Sequence, residues 1–162
     1  MTGVAFKIDF KGLQGALTWL HGMETVGKHE LLDTLGQLGV QQTRRRIEEE
    51  KTSPDGQAWI PSKDGGSTLF RTGHHLASSI DHAAGAEEVK WGSGWIGARV
   101  HQFGATIVPV NAKSLVFNVG GKEVFAKKVV IPARPYLGLS EANAAEMEAV
   151  AVRFIGLEGG MQ

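Results

Sequence analysis

The chain has 162 residues, the size of one domain that buries a single core. Its 17 basic residues balance 17 acidic ones, so the total charge does not favour a dedicated nucleic-acid binder. It contains no Cys, which excludes disulfides, thiolate metal sites and cysteine nucleophiles and is typical of a protein made in a reducing cytoplasm. No apolar run approaches the roughly 20 residues that cross a bilayer, and no signal pattern opens the chain, so we expect neither membrane insertion nor export.

Three elements are predicted in the first third of the chain. Large apolar residues alternate with Ala or charged residues over residues 4–11, which predicts a strand with one buried face. Leucines at helical spacing predict a short helix over 13–20, and a longer helix is predicted from about Lys28 to Lys51. Arg46 and Glu50 stand four residues apart near its end, which favours a solvated charged face, with an inter-subunit contact as the alternative.

The middle third alternates turns with short elements. Residues 53–56 have strong turn chemistry, and Trp59 behind them is expected to pin this loop onto the body of the protein. A helix is predicted over about 73–81, with Leu76 and Ile80 on one face. Strands are predicted over 89–92 and 95–100, around a Gly turn.

The last third predicts a hairpin followed by a helix. Residues 114–118 and 122–131 flank a Gly-Gly turn, which is typical of two paired strands. Ser140 is expected to cap a helix that runs to about Ile155, and residues 156–162 to form a frayed tail. We therefore predict one α+β domain over 1–162, in which a mostly antiparallel sheet is packed by the long helix and a C-terminal helix, and a hairpin at about 114–131 projects.

The residue patterns of common enzymes and metal sites are missing. The chain has no nucleophile elbow, phosphate loop or dinucleotide fingerprint. His75 and His82 are seven residues apart, too far along one helix to share an ion directly. Ser78, Ser79 and Asp81 have no spacing that supports a triad, which is recognised by geometry. We expect no catalytic residues, no bound metal and no cofactor. A cell-envelope hydrolase is the least favoured hypothesis for the function.

A basic cluster surrounds the predicted hairpin, with Glu123 as the single acid in that stretch. The candidate channel-facing or DNA-facing residues are Lys113, Lys122, Lys127 and Lys128. On an exposed hairpin these lysines would face DNA that passes through a ring. The alternative is that they keep the protein soluble and protect strand edges.

Three segments together resemble the Mu-type phage virion morphogenesis family of tail-completion and head–tail joining proteins. They are residues 43–61 with Pro54-Asp55-Gly56, residues 69–80 with Leu69-Phe70-Arg71-Thr72-Gly73, and residues 100–104 together with 131–140. The most specific parts are His101-Gln102-Phe103-Gly104 and Ile131-Pro132-Ala133-Arg134-Pro135-Tyr136-Leu137-Gly138. The resemblance covers most of residues 31 to 155.

This resemblance implies a structural, non-enzymatic virion protein of a tailed phage, assembled in the host cytoplasm. It implies a homo-oligomeric ring at the neck or the upper end of the tail, with neck, connector or tail-tube proteins as partners. Six-fold symmetry fits a tail and twelve-fold symmetry fits a portal-attached ring. The alternative hypothesis for the function is a DNA-contacting module that uses the basic hairpin.

The candidate subunit-interface residues all lie in the family-like segments. They are Arg71, Gly73, His101, Gln102, Phe103, Gly104, Pro132, Ala133, Arg134, Pro135 and Tyr136. Two prolines stiffen the segment around Arg134, whose planar donor fork suits a carboxylate or a cluster of carbonyls. The alternative is that Arg134 pairs within its own subunit.

Overall fold

The computed structural model describes residues 4–8, 25–63, 65–70 and 75–159. The short helix predicted over 13–20 lies outside these residues, as do Arg71 and Gly73. The helices are α1 Thr25–Arg45, α2 His75–Ser78, α3 Ala98–Phe103 and α4 Glu141–Gly159. The strands are β1 Val4–Ile8, β2 Ile80–Ala84, β3 Val89–Ser93, β4 Ala105–Ile107, β5 Leu115–Val119, β6 Lys122–Ala126 and β7 Val129–Ile131. Among the described helices, none has the length and the hydropathy of a membrane span.

Helix α1 lies across a three-stranded antiparallel sheet in the order β1-β3-β2. Two glycines allow the helix to approach the sheet closely. A Cβ at Gly36 would lie 2.7 Å from Val89 Cγ2, and one at Gly39 would lie 2.7 Å from the Trp91 ring. The prediction of a long helix is confirmed: α1 continues as a π-helical turn, Arg46–Glu50, and Lys51 ends it with a φ of 55°.

The strand predicted over 89–92 is confirmed as β3, but its predicted neighbours are wrong. β2 pairs with β3, whereas the sequence predicts that a helix continues to residue 81. Ile80 is buried and fits the helical stripe of Leu76 equally well, so the period of this short apolar run was misleading. The strand predicted over 95–100 is also wrong, because α3 begins at Ala98.

The predicted hairpin is confirmed for β5 and β6, which pair in register around Gly120 and Gly121. The predicted second strand, 122–131, is in fact two strands. It breaks at residues 127–128, after which β7 pairs with β4. We call residues 105–131 the hairpin arm: β4 and β7 form its base, and β5 and β6 form its tip.

Helix α4 closes the fold against α1. Ser140 Oγ accepts a hydrogen bond from Asn143 N at 3.1 Å, which confirms the predicted cap. Met147 packs in the core, whereas Ala144 on the same helix is exposed. The helix runs to Gly159, so the prediction of a frayed tail is wrong for residues 156–159, and residues 160–162 lie outside the described part of the chain. The α+β fold is confirmed.

Candidate assembly surfaces

Gln102 joins the two most specific family-like segments inside one subunit. Its Oε1 accepts hydrogen bonds from Tyr136 N and Leu137 N, both at 3.1 Å, and its Nε2 donates to Leu137 O at 3.2 Å. One buried amide thus satisfies three backbone groups of a segment that begins thirty residues further along the chain. In the subunit, Gln102 anchors the chain as it leaves the base of the hairpin arm.

Tyr136 and Gly104 complete this anchor. The Tyr136 side chain is fully buried, its hydroxyl donates to Ala98 O at 3.3 Å, and burial raises its pKa. Gly104 has a φ of 73°, and a Cβ there would lie 2.8 Å from Ala133 N. Only glycine fits this position without strain. The assignment of these residues to a subunit interface stays a prediction.

His101 lies beside the same anchor. Its ring stacks on Trp95 with 5.5 Å between centroids, and its carbonyl accepts a hydrogen bond from Arg134 N at 2.8 Å. Burial, and then the charge of Arg134, lower the pKa of His101. The folded protein therefore favours the neutral imidazole.

This lowered pKa predicts how acid affects stability. Between the ordinary His pKa of about 6.5 and the lower folded value, the unfolded chain binds the proton more readily, so stability falls as pH falls through this window. His101→Phe keeps a ring against Trp95 and removes the titration. In urea unfolding from about pH 7.5 to about pH 5, wild type is expected to lose more stability than the variant. Equal losses would contradict this assignment.

Arg134 binds carbonyls of its own subunit. Its Nε donates to Ile60 O at 3.0 Å and its Nη2 donates to Pro61 O at 3.4 Å. The expectation that its planar fork suits a carbonyl cluster thus agrees with these contacts. Arg134 ties the loop that carries Ile60 to the proline-rich segment that follows the arm.

An open groove lies between that loop and the proline-rich segment. It has a volume of about 400 Å³, and we call it the proline groove. Its apolar lining consists of Pro54, Ala58, Trp59, Ile60, Ala133 and Pro135. Trp59 is buried, as predicted, and its Nε1 donates to Pro135 O at 3.1 Å. Of the predicted interface residues, Ala133 and Pro135 line this groove.

The hairpin arm carries most of the exposed large apolar side chains of the described residues. They are Ile107, Val108, Val110, Val116, Val119, Phe125 and Val130, seven of eleven. Phe103, immediately before the arm, is also 61% exposed. Such a concentration of exposed apolar side chains in one segment favours a contact with another macromolecule. The sequence signal that was missed is Val108-Pro109-Val110, a short apolar run outside any predicted strand.

The predicted channel-facing lysines all lie on or beside the tip of the arm. Lys113, Lys122, Lys127 and Lys128 are exposed. Glu123, also exposed, is paired in register with Asn118 across the hairpin. The tip therefore combines apolar surface with a net positive charge.

Arg46 is a structural residue that sequence reasoning missed. Its side chain is 1% exposed, and its Nη1 donates to Tyr136 O and Gly138 O, both at 3.0 Å. Its Nη2 donates to Asn143 Oδ1, and burial lowers the pKa of the guanidinium. The predicted solvated face is wrong at this position. A signal existed, because residue 46 lies three helical turns after Leu35 and hence on the buried face.

His82 makes a polar contact and His75 a stacking contact in the part of the chain described. His82 Nε2 lies 2.9 Å from Asp33 Oδ1, and His75 stacks near Trp95 with 6.3 Å between centroids. Within the described ranges, no group of three His, Asp or Glu side chains is arranged to hold a metal ion.

Comparison with known proteins agrees with the family-like segments. The model of the phage virion morphogenesis family matches residues 8–155, most of the chain. Neither a curated protein nor a solved structure matches. The matched span includes the anchor around Gln102, the proline groove and the whole hairpin arm. The chain belongs to the phage virion morphogenesis family and has a structural or assembly role in a bacteriophage virion.

Proposed function

We propose that this protein assembles through its hairpin arm into a closed homo-oligomeric ring at the neck or the upper end of the phage tail. The observation that carries the proposal is the concentration of exposed apolar side chains on the arm. Family membership supports a role in building the virion. In the ring, a neighbouring subunit would cover the exposed apolar side chains of the arm.

The tip of the arm carries apolar side chains on both faces, and the Asn118–Glu123 pair adds polar groups to one of them. Register places Leu115 opposite Ala126 and Phe117 opposite Val124 on one face, where all four are half-buried. The other face carries the Val116–Phe125 pair, exposed at 56% and 65%. A two-stranded hairpin is marginal in water, and burial of its second face against a neighbour stabilises it.

A ring needs a heterologous interface, in which one surface of a subunit contacts a different surface of the next and rotation closes the series. The arm supplies one of these surfaces, and the body of the adjacent subunit supplies the other. Closure with six subunits fits a tail, and closure with twelve fits a portal. Neck, connector or tail-tube proteins then stack on the faces of the ring.

A second function is favoured by the exposed lysines of the arm. Four lysines against one glutamate give the tip a positive surface, which would attract DNA in the central channel without sequence specificity. Such a contact would weaken as salt increases. It would act beside the structural role, because the same arm can pack on a neighbour and present lysines to a channel.

The double substitution Lys127→Glu/Lys128→Glu tests the arm directly. Both side chains are exposed, so the free energy of unfolding is expected to change by less than about 0.5 kcal/mol. Phage carrying the variant are expected to lose assembly or to leak DNA. Thermal unfolding and the yield of infectious particles measure the two effects. Lys90→Glu/Arg153→Glu, with the same charge change at exposed sites outside the arm, is the control.

The kind of failure separates the two functions. Loss of particles before DNA enters supports the packing role, whereas complete particles that lose their DNA support the channel role. Normal yields of stable particles would contradict both assignments of these lysines.

A further inference from the structure

We propose that the proline groove of one subunit receives the hairpin tip of the next subunit. This inference rests on the proposed ring and names the surface that accepts the arm. The occupant is a second copy of this chain, held by the Val116–Phe125 face of its hairpin.

The groove is open in a single subunit. Its volume is about 400 Å³, and it opens to solvent. None of the residues that line it belongs to the subunit's own hairpin. Ile60 in its lining is 60% exposed, so its apolar surface faces solvent until another molecule covers it.

The walls of the groove are fixed by hydrogen bonds. Trp59 Nε1 donates to Pro135 O at 3.1 Å, which joins the loop that carries Ile60 to the proline-rich segment. Arg134 Nε binds Ile60 O at 3.0 Å, which joins the same two segments at a second point. Ser53 N donates to Gln57 O at 2.8 Å, which closes the turn in the loop that lines the groove. A preformed surface loses little conformational entropy when it binds.

The hairpin tip has the shape and chemistry that this groove requires. Phe125 is a rigid aromatic side chain, the kind that anchors interfaces in apolar pockets, and it is 65% exposed beside Val116. Lys127 and Lys128 follow it closely in sequence, and Asp55 lies exposed in the lining of the groove. Opposite charges at the edge of the contact favour one register of docking.

Connectivity explains why the contact forms between subunits. The groove residues Ala133 and Pro135 follow β7 directly, so the groove lies at the base of the arm and the hairpin at its tip. Each hairpin-in-groove contact leaves one free hairpin and one free groove. The contact therefore repeats until rotation closes the ring.

Cross-linking in virions tests this contact. The chain has no Cys, so the introduced thiols are the only ones in the subunit. Glu123→Cys places a thiol on the Val116–Phe125 face, and Ala58→Cys places one in the groove; both positions are exposed. With a short bismaleimide, the double variant is expected to give a covalent ladder that ends at the copy number of the ring. Peptide mapping should join position 123 to position 58.

The control pairs Glu123→Cys with Ala145→Cys, an exposed position on α4 outside the groove, and should give no ladder. Links between two copies of position 123, or a ladder no stronger than the control in virions that contain the ring, would overturn the groove contact and leave the ring intact. Virions without a ring, seen by microscopy before cross-linking, would overturn both the groove contact and the proposed ring.

As a second measurement, Ala58→Trp should abolish incorporation of a folded subunit into virions, whereas Ala145→Trp should not. Equal incorporation of the two variants would also overturn the groove contact.

Discussion

Replacement of Arg46 by Ala is expected to lower the free energy of unfolding by about 3 kcal/mol or more. The guanidinium donates to two backbone carbonyls and to Asn143, and it is almost completely buried. Its removal leaves these acceptors without their donor and opens a cavity. Because the bonded segment, 136–138, follows the arm, the loss should also loosen the anchor around Gln102.

Arg45→Ala is the matched control. Arg45 is adjacent on the same helix but exposed, and its partners Glu50 and Glu146 lie at 3.0 and 3.4 Å. Exposed ion pairs contribute about 0–1 kcal/mol, so this variant should remain close to wild type. Urea unfolding measures both, and in a thermal scan the Arg46 variant should melt on the order of 10 °C lower. Similar losses in the two variants would contradict the structural role of Arg46.

Shortening the hairpin is expected to abolish assembly while the subunit still folds. In this variant, residues 116–125 are replaced by Asn-Gly, a turn that suits two-residue hairpins. The core side chains of the described residues lie in the helices, the three-stranded sheet and the segments that pack on them, not in β5 or β6. Removal of the tip should therefore leave the subunit's melting temperature nearly unchanged and eliminate infectious particles.

Circular dichroism of the purified variant and complementation of a phage that lacks the gene provide the two readouts. Infectious particles at normal yield would show that the hairpin is dispensable and that the interface assignment is wrong. An unfolded subunit would show that the hairpin belongs to the core. A folded subunit that does not assemble is the expected result. A substitution at exposed Ala145 serves as the control for the complementation assay.

Local chemistry predicted the elements whose partners lie close in sequence. The hairpin at 115–126 depends on its own Gly-Gly turn, and the start of α4 depends on the hydroxyl of Ser140. The long helix follows from its leucine stripe. For these elements, the residues that fix the structure are neighbours along the chain.

Contacts between distant segments were not predictable in the same way. β3 is the central strand, and only the folded sheet shows that it pairs with residues 80–84 on one side and not with residues 95–100. Tertiary context decides between helix and strand for such short apolar runs. Likewise, the proline groove forms only because Trp59 and Arg134 join segments about 75 residues apart. The family-like motifs marked these segments, and the hydrogen bonds show that several of their residues hold the subunit together.

The exposed surface of the arm was only partly predictable. The lysines and Phe125 were evident from the sequence, since each lies in or directly beside a predicted strand. The side of the hairpin that the subunit leaves uncovered depends on its register and its position, which place Val116 and Phe125 outward. Their exposure is what directs the proposal toward an assembly contact.

Electron microscopy of intact virions, with the protein located by an antibody or by density, tests the proposed ring. We expect a closed ring of this protein at the neck or the upper end of the tail, with six-fold or twelve-fold symmetry and with each hairpin tip against the adjacent subunit. If the protein is absent from virions, or is present there only as scattered single copies, the proposed ring is wrong.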